Sequence, residues 1–494
     1  WFNGRTPYPD QERCVQRGWQ PKPGDQVVRR PRPQEIHPTT LSVPLRASRP
    51  HLLNSPFTLL IGLTILIGIG TILLLFPFAN TTGEWTPFMV SLFTSTSAAT
   101  VTGLIVVDTP IYWSTAGQVI IWVMILTGGL GWMTMAGFIY ILLGQRITLT
   151  QRMAFRESLG ATRIGGILRT IRNLMITALL LQAVGGILLA IKFQNTFDWS
   201  WSKALWHGLF QAVSGFNNAG FTTIPGSNSL SVFQQDIFTL SVMAVLIMLG
   251  GLSFAVMAEM VRVRRFSGFS LDTKIIVTAS IVLWVIGAII VFSLEYDNKD
   301  TLGNMSFGQK LVHAIFESIT SRAAGFSTFG TGLLGPATLV FIIGLMFIGT
   351  ASASAGGGIR LNTLGVVVAT VISSIRGGDQ VNAYNREIPP TQVHRAITVV
   401  VLGILLVFMV AFVLTGTEGG QTKFISLLFE AVSAVGTVGL STGVTSELST
   451  IGRLLMIVTM VLGRIGPLAL GLALVHHEGR VALYRYPRER VRIG

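Results

Sequence analysis

Charge is what this sequence has least of. Asp, Glu, Lys and Arg make up 12% of its 494 residues, against roughly a quarter in an average soluble protein. Four intervals, Pro50–Gly83, Ile237–Ala258, Ile275–Leu294 and Ala396–Thr417, hold none of them. Each is long enough for the roughly 20 apolar residues that cross a hydrocarbon core. A soluble chain of several domains is therefore excluded, and a polytopic membrane protein is expected. Cysteine is nearly absent: Cys14 stands alone, which rules out an intrachain disulfide and any multi-cysteine metal site. Acidic residues are outnumbered, and the formal net charge is +14. In a soluble protein that excess would suggest nucleic acid. Here much of it sits in two tails and three loops, so membrane lipid is the expected partner and no nucleic acid is.

Proline is unevenly spread. Nine of the nineteen fall in residues 1–50, together with nine basic and four acidic residues. That density prevents helix and sheet ladders, and the segment is expected to be an extended or disordered basic arm on the cytoplasmic side.

From residue 51 onward one pattern occurs four times: an apolar span, a short amphipathic stretch, a glycine turn and a second apolar span. The short stretches are Pro87–Ala98, Trp201–Ser214, Phe307–Thr320 and Thr422–Ala434. At about a dozen residues they are too short to cross a bilayer. Their turns read Thr100-Val101-Thr102-Gly103, Asn217-Asn218-Ala219-Gly220, Arg322-Ala323-Ala324-Gly325 and Gly436-Thr437-Val438-Gly439. A phenylalanine precedes three of the four glycines by ten residues (Phe93, Phe210, Phe429) and the other by nine (Phe316). A repeat of this length sets the architecture. The expected fold is all-α and polytopic, with repeats at 51–144, 145–265, 266–376 and 377–478 and a basic tail at 479–494. The flanking spans are Ser55–Ala79 and Trp113–Leu143, Leu168–Phe193 and Phe233–Val261, Lys274–Leu294 and Ala337–Ser374, and Val393–Thr415 and Thr450–His476, which makes eight crossings and four half-crossings.

Loop charge orients the spans. Arg146, Arg152, Arg156, Arg163, Arg169 and Arg172 between repeats one and two face only Glu157, and arginines also precede repeats three and four. The opposite loops carry Glu84, Asp108, Asp198, Asp236, Glu295, Asp297 and Asp300. Basic loops mark the cytoplasm, so both termini are expected there.

Irregular backbone at membrane depth is tolerated where it is buried in protein or lines a water-filled cavity. Four such turns converging on one axis would supply a ring of carbonyls able to replace the hydration shell of a monovalent cation. Glycine at the fourth place frees φ for that turn. Each half-helix would point its C-terminal, negative dipole end at the ion.

At these residues the sequence resembles the Trk/Ktr/HKT superfamily of potassium transporters, and within it the bacterial ion-translocating subunits of KtrB or TrkH type. The resemblance covers roughly residues 55–494. It implies four M1–P-loop–M2 repeats arranged pseudo-four-fold around a pore, a homodimer in the plasma membrane, and control by a cytosolic nucleotide-binding regulator ring of KtrA or TrkA type. Gly103, Gly220, Gly325 and Gly439 together accompany potassium preference in that family. Potassium is then the transported substrate, with no covalently bound cofactor, no metal beyond the ion at the filter, and sodium or proton coupling as alternatives to passive flow. The run Gly349–Gly358, ending in Gly356-Gly357-Gly358, resembles the family's intramembrane gating loop, although it lacks the usual proline and Arg360 stands where the family has lysine. Arg464, the one charge between Arg453 and Glu478, resembles the family's pore arginine.

Plainer readings compete: glycine punctuation between helices, small-residue packing at Ser352–Gly358, and a paired or snorkelling Arg464. Arg322, a cation inside a cation site, is expected to turn away towards Glu317 or Glu430. A secondary transporter of sodium or a small solute is the alternative function, but inverted repeats are its commoner plan, and these four begin on one side. An enzyme would need a convergent nucleophile–base or metal set at membrane depth, and none is visible.

Overall fold

The computed structural model describes residues 56–131, 167–225, 229–352, 354–378, 380–418, 420 and 422–466, all within the second of the chain's two units, Leu52–Gly494. The arm at 1–50, the loop arginines Arg146 to Arg163 and the tail at 479–494 lie outside the described residues.

Helix α1 (Pro56–Leu75) leads to the short helix α2 (Phe88–Thr100), a turn, and α3 (Thr115–Leu130). The same order follows in α4 (Ile167–Phe197), α5 (Trp201–Phe216) and α6 (Ile237–Gly251), continued by α7 (Phe254–Val263). It follows again in α8 (Leu271–Glu295), α9 (Phe307–Thr320) and α10 (Pro336–Phe347), continued by α11 (Leu361–Ile375), and in α12 (Pro390–Thr417), α13 (Phe424–Gly436) and α14 (Thr450–Ile465). The four short helices lie within two residues of the stretches expected from sequence.

Local chemistry sets the boundaries. Ser114, Asp236 and Ser449 cap α3, α6 and α14 by accepting first-turn N–H bonds, which satisfies donors a helix start leaves open. Helices α4, α8 and α12 hold 31, 25 and 28 residues, enough at about 1.5 Å per residue to cross the hydrocarbon core. Their outward residues are apolar and exposed, among them Leu180, Val184, Val285, Ile289, Val401, Phe408 and Phe412. A face of that kind is stable against lipid.

One second span departs from the expected continuous helix, and another is interrupted at the glycine run. Helices α6 and α7 meet at 98°, whereas Phe233–Val261 reads as one span. The carbonyls of Gly250 and Gly251, which would receive the next turn, instead accept the N–H groups of Ala355 (3.3 Å) and Ala351 (3.2 Å). Between α10 and α11 the chain leaves the helix at Ile348 and resumes it at Leu361, and Ile348 pairs with Ile359 as an isolated parallel bridge. The all-α expectation also needs one amendment. Asn382–Ala383 and Arg386–Glu387 form a two-stranded antiparallel hairpin, turned by Tyr384 and Asn385 at φ 50° and 60°, the double left-handed turn that suits strand twist.

The core lies between successive helical groups. Phe210 and Phe221 share one cluster with Val101 and Ile121. Phe316 and Phe326 share another with Phe216 and Met243. Phe429 and Leu440 pack with Phe329 and Ile342, and Phe93 and Leu104 pack with Leu414 and Met456. Each recurrent phenylalanine thus shares a cluster with the residue that follows its own turn glycine. Each cluster joins two neighbouring groups, and the last joins the fourth to the first.

Candidate functional site

Three of the four short helices end in the same way. Val101 and Thr102 donate to Ala98 O and Ser97 O, Asn218 and Ala219 to Gly215 O and Ser214 O, and Thr437 and Val438 to Ala434 O and Ser433 O. This paired pattern is the Schellman ending, which wants glycine at its left-handed position. Here that position holds Val101, Asn218 and Thr437, at φ 57°, 57° and 49°. Left-handed backbone costs an L-residue about 1–2 kcal/mol, and it is least expected at a β-branched side chain. The third turn differs. Ala323, Ala324 and Gly325 all donate to Thr320 O, so the helical direction persists and no non-glycine residue there takes a positive φ.

The four glycines then meet. Gly103, Gly220, Gly325 and Gly439 have φ of 90°, 71°, 70° and 92°. A methyl group on Gly103 would stand 2.5 Å from Ala219 O, and one on Gly220 would stand 2.9 Å from Ala324 O. On Gly325 it would strike Val438 O, and on Gly439 it would strike Thr102 O. The contacts close a ring from the first turn through the second, third and fourth and back to the first. None of these four carbonyl oxygens accepts a hydrogen bond among the described residues. Buried carbonyls are nearly always paired, so four unpaired in one ring form a cluster of open acceptors among the described residues. Above them opens a cavity of about 490 Å³, lined by all four glycines and by Asp108, Thr222, Ser327, Ser441 and Thr442.

A second layer holds the ring, and the sequence reading overlooked it. Ser97 Oγ accepts from Gly103 N and Ser433 Oγ from Gly439 N, each at 3.0 Å. Ser214 Oγ donates to Phe221 O at 2.6 Å, and Thr320 Oγ1 accepts from Phe326 N at 2.9 Å. A hydroxyl residue six places before the glycine, five in the third turn, was the available signal. Glu317 accepts from Ser327 Oγ and Thr328 N, while Glu430 accepts from Ser441 Oγ and Thr442 N. The outgoing strands are thereby anchored to their own short helices. Replacing Ser97 or Ser433 with alanine strands a buried N–H at about 1–3 kcal/mol. Either variant is expected to lower the thermal-unfolding midpoint of the purified protein by a few degrees while it still accumulates in the membrane.

Beneath the ring lies the glycine run. A methyl on Gly356 would reach the Ala323 Cβ at 3.2 Å, Gly357 lies against the Thr437 side chain, and Gly358 (φ 72°) lies 3.3 Å from Gly436 Cα by the same measure. Arginines hold this loop by its carbonyls. Arg464 donates to Ala355 O and, at 2.5 Å, to Gly128 O of α3. Arg360 donates to Gly356 O. Arg322 corrects the expectation of an acidic partner: its Nη2 donates to Gly349 O at 3.1 Å. Glu317 and Glu430 are already occupied by hydroxyls and backbone amides. Gly349 O, which accepts nothing else among the described residues, is the acceptor the guanidinium takes.

The sequence pattern of the family described as TrkH, cation transport protein, matches residues 46–481. The chain is 38% identical over 439 residues to the Ktr system potassium uptake protein B of Bacillus subtilis strain 168, covering 89% of this chain and 96% of that one. It is 33% identical over 436 residues to the potassium/sodium uptake protein NtpJ of Enterococcus hirae, covering 88% and 96%. The crystal structure of the potassium transporter TrkH from Vibrio parahaemolyticus shares the fold, with a TM-score of 0.68 over 86% of each chain at 17% identity.

Proposed function

The chain belongs to the TrkH family of cation transport proteins, and from that premise we propose that it takes up potassium through a selectivity filter built at the ring of carbonyls. It is a multi-pass membrane transporter and not an enzyme. The filter is assigned to Thr100–Gly103, Asn217–Gly220, Arg322–Gly325 and Gly436–Gly439, contributed by four helix–turn–helix repeats set pseudo-four-fold about the pore. One observation carries this reading: Thr102, Ala219, Ala324 and Val438 present buried carbonyl oxygens with no hydrogen-bond donor among the described residues, each against the neighbouring turn's glycine. A partly dehydrated monovalent cation is the partner such a ring suits. The negative helix ends behind it add favourable potential. Inward flow would be driven by the membrane potential, worth about 2.3 kcal/mol per charge for each 100 mV.

The loop at Gly356–Gly358 is the proposed gate, with Arg464 as its latch. A homodimer and a cytosolic nucleotide-binding regulator ring, named for their likeness to Ktr systems, complete the proposed assembly, with both termini on the cytoplasmic side. The test is growth of a potassium-uptake-deficient cell at limiting potassium. Rescue that depends on potassium and is not replaced by sodium supports the reading. Rescue by sodium alone would favour the sodium alternative.

Asp108 offers a check at the outer mouth. It is open to solvent at the cavity wall, and partial desolvation raises its carboxyl above its ordinary value. It is an anion above that raised value and neutral below it, so its attraction for cations weakens as the outside pH falls through it. Asp108→Asn is expected to reduce uptake at low ionic strength and to flatten that acid limb. High salt should erase the difference by screening.

A further inference from the structure

We propose that Arg322 is a positioning residue that ties the third turn of the ring to the neck of the loop below, so that the two move together. The inference rests on the filter reading above and adds to it a mechanical link.

Arg322 is 3% exposed. Its Nη2 reaches Gly349 O at 3.1 Å, its guanidinium carbon lies 5.7 Å from the centre of the Trp284 ring, and its Nε has no partner among the described residues. A buried cation is an expensive way to fill space at membrane depth, and its single polar bond among the described residues goes to the loop. The receiving atom is well placed. Gly349 N–H donates to Ile359 O at 2.9 Å, so Gly349 stands where the loop both leaves α10 and closes on itself. Leu361 N–H then donates to Thr350 O at 3.0 Å, which extends the neck. The far side of the loop touches the ring again through Gly356 against Ala323 and Gly357 against Thr437.

The third turn also needs such a tie. The other three carry a left-handed non-glycine residue ahead of the glycine, but this one does not. Its place is defined by Thr320 O on one side and by the arginine on the other. Trp284 of α8 covers the guanidinium face and aims it at Gly349, a cation–π contact that strengthens with desolvation. Movement of the neck would therefore pull on Arg322 and shift the Ala323–Ala324 carbonyls.

The test uses the full chain with Cys14 replaced by serine and Ser352→Cys as a reporter on the loop, reconstituted in liposomes. A membrane-impermeant thiol reagent reads loop release, and rubidium and sodium fluxes read the filter. Arg322→Gln is expected to speed modification of the reporter about fivefold or more and to raise the sodium-to-rubidium flux ratio in the same vesicles. Arg322→Lys should fall between Gln and the parent, because an ammonium can reach the carbonyl but cannot stack like a guanidinium. An altered flux ratio with an unchanged modification rate would overturn the link and leave the filter reading standing. No change in either also overturns it. If Arg322→Gln fails to fold, Trp284→Leu must produce the same paired change, and its absence is decisive against the link. Gly103→Ser serves as the separate control: if it leaves the flux ratio untouched, the filter reading fails, whatever the reporter does.

Discussion

Gly103→Ser is expected to lower potassium-over-sodium discrimination about tenfold, as follows from a disturbance near 1.4 kcal/mol. Two effects act together. The backbone at φ 90° is one an L-side chain rarely adopts, a strain of about 1–2 kcal/mol. The new Cβ would also stand 2.5 Å from Ala219 O and 3.1 Å from Gly220 Cα. Relief requires the first and second turns to move apart, which alters the oxygen positions an ion would meet. Competing rubidium and sodium fluxes in proteoliposomes measure the effect. Gly308→Ala is a suitable control, because nothing lies within 4 Å of its Cβ position, and it should leave discrimination unchanged. Normal discrimination in a folded Gly103→Ser protein would remove the filter assignment.

Arg464→Ala is expected to increase potassium flux tenfold or more in the absence of any regulator. The guanidinium joins Ala355 O of the loop to Gly128 O of α3. Hydrogen bonds to a charged group contribute about 1.5–3 kcal/mol each, and losing even one shifts the loop's equilibrium by roughly the stated factor. Removing a positive charge from below the ring also lowers the barrier to a cation, so both effects have the same sign. Arg464→Lys separates them: it keeps the charge but cannot bridge two carbonyls with a planar fork. Flux in the lysine variant that matches alanine identifies the bridge as the latch. Flux that stays at the parent level identifies the charge. Unchanged flux in Arg464→Ala would exclude both roles.

Much of the candidate site is legible from residue spacing. The recurrence of glycine, phenylalanine and a short amphipathic stretch is local, and the short helices begin and end close to where it places them. The serines behind the ring are equally regular, at Ser97, Ser214 and Ser433, but a hydroxyl on a short helix has many ordinary uses, so its spacing alone does not single it out. The glycines of the second spans were also in view. Gly128, Gly250 and Gly463 each lie against a carbonyl at the end of a short helix, at Ala99, Phe216 and Val435. Mid-span glycine looks like simple helix packing until its neighbour is known.

What the amino-acid order determined by itself was the solvent of the chain, its recurrence, and the positions of its turns, because apolar runs, proline and glycine act through their own backbone and immediate surroundings. The tertiary structure decided where α6 breaks, which turn is held without a left-handed residue ahead of its glycine, and where Arg322 and Arg464 bind. Those outcomes depend on backbone carbonyls brought together from distant parts of the chain. Every residue carries the same carbonyl, so no side-chain pattern marks in advance which one an arginine or an ion will find unpaired.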